Sequence, residues 1–170
     1  YYVTMMNENY AQPDLPADAH AGVLRGCYVF GSYGPAPAAG VQAATLLGSG
    51  AILNEVIRAA EQLAATGVSA TVISVTSWSE LAREGVACEA EPGRLPWLAQ
   101  VLAGTHGPVI AATDYVRAVP ESVRAFMPEG RRYVTLGTDG FGRSDTRAAL
   151  RAHFGVDAAA VVRAARVALG

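Results

Sequence analysis

Four short apolar runs, at residues 41–47, 70–75, 108–112 and 132–136, alternate with segments of helical periodicity. This alternation limits the fold more than any other feature of the chain. Runs of this length, rich in apolar or β-branched residues, fit buried strands. Between the first two, Ile52, Val56, Ala60 and Leu63 recur every three or four residues and mark one face of a helix. Gly67 is placed to end that helix. Ser77 and Glu80 have the spacing of a capping box, so a second helix is expected to begin near Trp78 and to stop near Gly85. Residues 97–102 fit a short helix. Residues 114–127 look helical but carry Pro120, where a break or a fresh start is expected. Asp145 and Asp157 can cap two final helices, the first with Leu150 and Phe154 on one face, the second with Val161, Val162, Ala165 and Leu169 inward. Strands that alternate with helices predict an α/β fold: a three-layer α/β/α arrangement around an open, mostly parallel sheet.

The stretch ahead of Val41 follows a different pattern. Residues 1–6 read as a strand with no lead-in, which implies sequence ahead of Tyr1. Residues 7–19 are polar, contain Pro13 and Pro16, and fit an extended linker. Residues 24–30 form a further strand candidate, and the Gly-, Pro- and Ala-rich residues 31–40 fit a turn or hairpin end.

The whole chain has 170 residues, 51% hydrophobic and 16% charged, enough to fill one core without a covalent staple. No apolar run approaches the roughly 20 residues of a membrane span, and the first residues lack the pattern of a signal peptide. All 13 basic residues are Arg, spread along the chain at a net charge of −2, so no nucleic-acid footprint stands out. Cys27 and Cys88 are the only cysteines and are expected to be buried thiols of a reducing compartment.

Few residues are arranged for catalysis. His20, His106 and His153 are far apart, without metal-ligand partners at helical or loop spacing. There is no GxSxG elbow. Glu80, Glu84, Glu89 and Glu91 fit a solvated helix end and loop better than an acid–base pair. Gly48-Ser49-Gly50 lies between a strand and a helix, where backbone N–H groups can hold a phosphate. Leu53, however, stands where GxGxxG needs its third Gly, and the chain has no lysine for a Walker motif. A tight strand-to-helix turn is the better reading.

The strongest local signal is Gly137-Thr138-Asp139-Gly140-Phe141-Gly142-Arg143-Ser144-Asp145. Its glycines imply tight turns. Phe141 is an apolar side chain on a polar loop, expected to pack on a neighbouring domain. Asp139, Arg143 and Asp145 can form a local ion-pair set, or Asp145 can cap a helix while the rest orders the loop.

This loop, followed by Thr146, Leu150, His153-Phe154 and Val156-Asp157, resembles the C-terminal signature of the homodimeric pyruvate dehydrogenase decarboxylating component, a thiamine diphosphate enzyme related to transketolases. Met6-Asn7-Glu8-Asn9-Tyr10 with Pro13 and Pro16 is similar to that family's linker into its last domain. Leu46-Leu47-Gly48-Ser49-Gly50-Ala51-Ile52-Leu53, Ser74-Val75-Thr76-Ser77 with Glu80-Leu81-Ala82-Arg83, and Thr113-Asp114-Tyr115 match too, so the resemblance spans essentially the whole chain.

It implies the final strand of a pyrimidine-binding domain at residues 1–10, a linker and hairpin at 11–40, and a transketolase-like C-terminal domain at 41–170, with sequence continuing past Gly170. The parent reaction it implies is decarboxylation of pyruvate and reductive acetylation of a lipoyl group on the acyltransferase core. The cofactors would be thiamine diphosphate and Mg²⁺, the setting the cytoplasm. The family's GDG…N run for the metal-bound diphosphate is missing, so no catalytic, cofactor or metal residue carries over, and this stretch alone is expected to be inactive. Its expected role is structural, supporting a homodimer, with Asp139, Phe141, Arg143 and Asp145 at an interface and no nucleic-acid or membrane partner. The alternative is a free-standing Rossmann-like ligand-binding module, with Ser49, Ser77, Asp114 and Arg143 around a crevice at the carboxyl edge of the sheet.

Overall fold

The computed structural model describes residues 9–170; the strand expected over residues 1–6 lies outside them. Residues 9–16 carry no regular structure, as the prolines require. A short helix, α1 (His20–Arg25), follows, and Gly26 ends it at φ 101°. Strand β1 runs from Cys27 to Tyr33, so the strand expected over 24–30 begins only at Cys27. Gly22 explains the helical start: a Cβ there would lie 2.7 Å from Cys27 O and Tyr28 Cβ, so only glycine lets α1 fold back on β1.

The remaining strands are β2 (Ala43–Ser49), β3 (Ser69–Val75), β4 (Val109–Ala112) and β5 (Tyr133–Leu136), which match the four apolar runs. They form one sheet in the order β1-β3-β2-β4-β5. β2 pairs in parallel with both β3 and β4, β4 pairs in parallel with β5, and β1 alone is antiparallel. Because β3 lies between β1 and β2, residues 34–42 form a crossover and not a hairpin.

Side-chain alternation builds a core on each face. Leu46, Val72 and Ile110 point to one face, where α2 (Leu53–Ala64) and α7 (Ala158–Leu169) cover them with Val56, Leu63, Val161 and Ala165. Leu47, Ile73 and Ala111 point to the other, under Trp78 and Leu81 of α3 (Trp78–Glu89) and Leu98 and Leu102 of α4 (Trp97–Ala103). The result is the expected three-layer α/β/α sandwich.

Three local expectations are corrected. Helix α3 continues past Gly85 to Glu89. Gly85 is buried against the Phe126 ring and serves close packing, with no role in ending the helix. Residues 114–127 are helical only in α5 (Ala118–Glu121) and a 3-10 turn at Arg124–Phe126. Pro120 sits in the first turn of α5, where its missing N–H costs nothing. Helix α6 (Arg147–Phe154) is capped by Thr146, which accepts from Ala149 N–H, and not by Asp145. Asp157 caps α7 as expected, accepting from Ala160 N–H.

Candidate functional site

The carboxyl ends of β2, β3, β4 and β5 meet at one edge of the sheet, and the distinctive loops of the sequence lie there. At the end of β2, Gly48 packs β2 against α2: a Cβ there would lie 3.0 Å from Leu53 Cα and Val56 Cγ2. Gly50 then turns at φ 55°. This is the tight strand-to-helix turn. Ser49 and Thr113, both buried, share a 2.8 Å hydrogen bond between β2 and the end of β4. Sequential connections depart to opposite sides of β2 at this point, which makes it the topological switch point of the sheet.

The residues after β4 and β5 are cross-braced. Thr138 donates from its hydroxyl to Asp114 O at 2.6 Å and from its N–H to Tyr115 O at 2.9 Å. Asp139 accepts from Arg117 N–H at 2.8 Å. Gly137 allows this approach, since a Cβ would lie 2.8 Å from Tyr115 O. The bracing holds the 137–145 loop without the expected ion-pair set. Among the described residues, Arg143 makes no hydrogen bond or ion pair, and Asp145 only accepts from Thr146 N–H. Phe141 is 96% exposed.

Two clefts flank Asp114. The larger, about 650 Å³, brings Ser49, Ser77 and Asp114 together with Ser79 and Tyr115. The smaller, about 270 Å³, has Ile52, Leu150, Phe154 and Val156 as its apolar lining, with Arg143, Arg147 and Arg151 among its polar residues. Arg143 therefore belongs to a different cleft from Ser49 and Ser77, and only Asp114 borders both.

A network legible only in part from sequence lies beside the smaller cleft. Arg151 donates to Glu55 at 2.7 Å, and the buried Glu55 also pairs with Arg58 and accepts from Ala158 N–H at 3.1 Å at the start of α7. Arg147 and Arg151 both donate to the hydroxyl of Tyr10, and both guanidinium groups lie near its ring. The i, i+4 spacing of the two arginines was visible; their shared partner, near the opposite end of the sequence, was not.

Other ionisable residues form local pairs away from the two clefts. Glu84 accepts from Trp97 N–H at 2.8 Å and faces Arg94 at 3.5 Å and Arg25 at 3.9 Å; Arg83 pairs with Glu80 and Arg94 with Glu91. Cys27 and Cys88 are buried free thiols, and desolvation pushes the Cys27 thiol up to about 12. A thiol so raised is a poor nucleophile near neutrality. Among the described residues, no group of three or more His, Cys, Asp or Glu is placed to hold a metal ion. No helix among them is long and apolar enough to cross a membrane.

An open sheet with a braced carboxyl edge and both faces covered defines the class, and the chain belongs to the transketolase-like TK C-terminal domain family, whose model matches residues 26–157. Among its relatives, the pyruvate dehydrogenase E1 component of Mycolicibacterium smegmatis is 47% identical over 95% of this chain and 18% of its own length. That of Escherichia coli K12 is 47% identical over 97% of this chain and 19% of its own, and that of Pseudomonas aeruginosa 46% over 99% and 20%. The chain thus spans 18–20% of the length of these relatives. Transketolase from Leishmania mexicana shares the fold at TM-score 0.58 and 21% identity, covering 88% of this chain and 18% of that one. A split-gene transketolase described as an inactive beta4 tetramer does so at 0.55 and 23%, covering 76% and 40%.

Proposed function

We propose that the chain is the C-terminal domain of a pyruvate dehydrogenase E1-type polypeptide. As a whole that polypeptide decarboxylates pyruvate and reductively acetylates the lipoyl group of an acyltransferase in the cytoplasm. The observation that carries this reading is identity of 46–47% over 95–99% of the chain to relatives of that name. Thiamine diphosphate and Mg²⁺ belong to the preceding domains. Among the described residues, Glu55, Glu80 and Glu91 pair with arginines and Asp157 caps a helix, and no group of three or more His, Cys, Asp or Glu is placed to hold Mg²⁺. Residues 1–10 are the end of the preceding domain, 11–40 lead in and contribute β1 to the sheet, and 41–170 are the body of the domain.

The role of the domain is to support assembly of a homodimer. Asp139 holds its loop on Arg117 while Phe141 and Arg143 face outward. That division of labour suits a surface for a neighbouring domain or subunit: an exposed apolar side chain and a guanidinium unpaired among the described residues, both on a backbone already braced. Burying Phe141 fully contributes about 1.5–3 kcal/mol to whatever contact it makes.

The test is calorimetric titration of the 170-residue protein and of the full-length polypeptide with thiamine diphosphate and Mg²⁺. The full-length polypeptide is expected to bind both and to decarboxylate pyruvate, while the isolated domain gives no saturable heat. Saturable micromolar binding to the isolated domain contradicts this reading, as does a full-length polypeptide without activity on pyruvate.

A further inference from the structure

Four charged side chains line the smaller cleft: Asp114, Arg143, Arg147 and Arg151. Two of them are already engaged. Arg151 donates to Glu55 at 2.7 Å and to the hydroxyl of Tyr10, and Arg147 donates to the same hydroxyl. The other two are not. Among the described residues the Asp114 carboxylate takes part in no hydrogen bond or ion pair, although its backbone O accepts from Thr138, and the Arg143 guanidinium has no partner either. One negative and one positive group therefore line a single cleft without pairing with each other.

The segments that carry them are tied together, yet the charges do not meet. Thr138 binds the start of the 137–145 loop to Asp114 O and Tyr115 O, and Asp139 binds it to Arg117 N–H. Ile52, Leu150 and Phe154 give the same cleft an apolar surface. A lone carboxylate drawn to Arg143 would meet Asp114, and a lone ammonium drawn to Asp114 would meet Arg143, like charges that repel in both cases. A molecule that carries both groups pairs each with its opposite. The guanidinium offers a planar donor fork to a carboxylate, and the carboxylate accepts from an ammonium. At about 270 Å³ the cleft is smaller than the roughly 300–1,000 Å³ of pockets that hold drug-sized ligands, so its occupant is a small metabolite.

We propose that the smaller cleft binds a small apolar amino acid, with its ammonium on Asp114, its carboxylate on Arg143 and its hydrocarbon body against Ile52, Leu150 and Phe154. Of the residues read as an assembly surface, Arg143 alone lines this cleft, so Phe141 stays outside the site. The inference goes beyond the proposed function and does not rest on it, since every group it uses lies within this domain.

The experiment is calorimetric titration of the full-length polypeptide with two zwitterions, L-leucine and ε-aminocaproate, and with two singly charged relatives of leucine. Isocaproate lacks the ammonium and isoamylamine lacks the carboxylate. At least one zwitterion is expected to bind saturably, and both relatives about tenfold or more weaker than it. Leucine as the better ligand places the two charges on one carbon; ε-aminocaproate as the better ligand places them at opposite ends of the body. In Asp114→Asn the preference over isocaproate is expected to vanish while that over isoamylamine persists. In Arg143→Gln the pattern is reversed. A general loss of structure does not produce such a crossed pattern, and circular dichroism checks folding. No binding of either zwitterion, or isocaproate or isoamylamine binding as well as the zwitterions to the unsubstituted protein, overturns the inference, and neither result depends on a variant. Folded variants that keep both preferences overturn it too. Turnover of pyruvate plays no part in the readout, so failure of the proposed function and failure of this site are told apart.

Discussion

Gly85 lies inside α3, a position where alanine is ordinarily better by about 0.5–1 kcal/mol. Here a Cβ would lie 2.7 Å from Phe126 Cγ and closer still to Cδ2 and Cε2 of the same ring. Gly85→Ala is therefore expected to destabilise the domain by about 1–3 kcal/mol, the usual cost of overpacking. In a Phe126→Ala background the same change is expected to be neutral or stabilising. Urea denaturation of the four proteins of this cycle checks both statements; equal destabilisation in the two backgrounds would refute the steric account. A glycine at that distance after a cap reads as a helix stop, because the ring that requires it comes from the 3-10 turn at Arg124–Phe126, beyond α4 and β4 in the sequence. Arg131 was hidden for the same reason. Its guanidinium donates to Thr45, Leu102, Thr105 and Gly107, partners on widely separated stretches of the chain, and burial lowers its pKa. Nothing local marked it among 13 arginines.

At the scale of elements, α5 is too short to hold itself and is fastened by side chains. Glu121 accepts from Arg124 Nε at 2.5 Å and from the hydroxyl of Thr135 on β5, and Tyr133 donates to Pro120 O at 2.8 Å. Hydrogen bonding to Arg124 first, then to Thr135, holds the Glu121 carboxyl down at about 2, against the opposing effect of burial. A carboxyl depressed by folding stabilises the fold above its unfolded value, near 4.3, and that contribution is lost as pH falls toward 2. Wild type is therefore expected to lose melting temperature between about pH 4.5 and pH 2 more steeply than Glu121→Gln. The difference should be modest, since the pair is partly solvated. Parallel melting curves against pH would show that Glu121 is not coupled to folding. Elements with a long apolar period, such as α2, α7 and the four parallel strands, were legible because packing on a sheet imposes that period. α1 and α5 were not, because tertiary contacts at Gly22 and Glu121 decide them. The cap of α6 moved by one residue, from Asp145 to Thr146, since both side chains are competent and only backbone geometry chooses.

At the scale of the molecule, the candidate surface was legible as a glycine-rich stretch with an apolar residue, and Phe141 is exposed on it. What the sequence concealed was the second half of the surface: Tyr10, held by Arg147 and Arg151 across the fold. The pairing of Asp139 with a backbone N–H, in place of Arg143, leaves a charge available at the same edge. The central claim is that this edge serves assembly and not chemistry. Its most direct test is Phe141→Ala in the full-length enzyme, followed by sedimentation equilibrium and single-turnover kinetics on the same preparation. The account predicts weaker dimer or domain assembly, by up to about 3 kcal/mol, with an unchanged rate of the chemical step per assembled site. A variant that stays fully dimeric but loses the chemical step would contradict it.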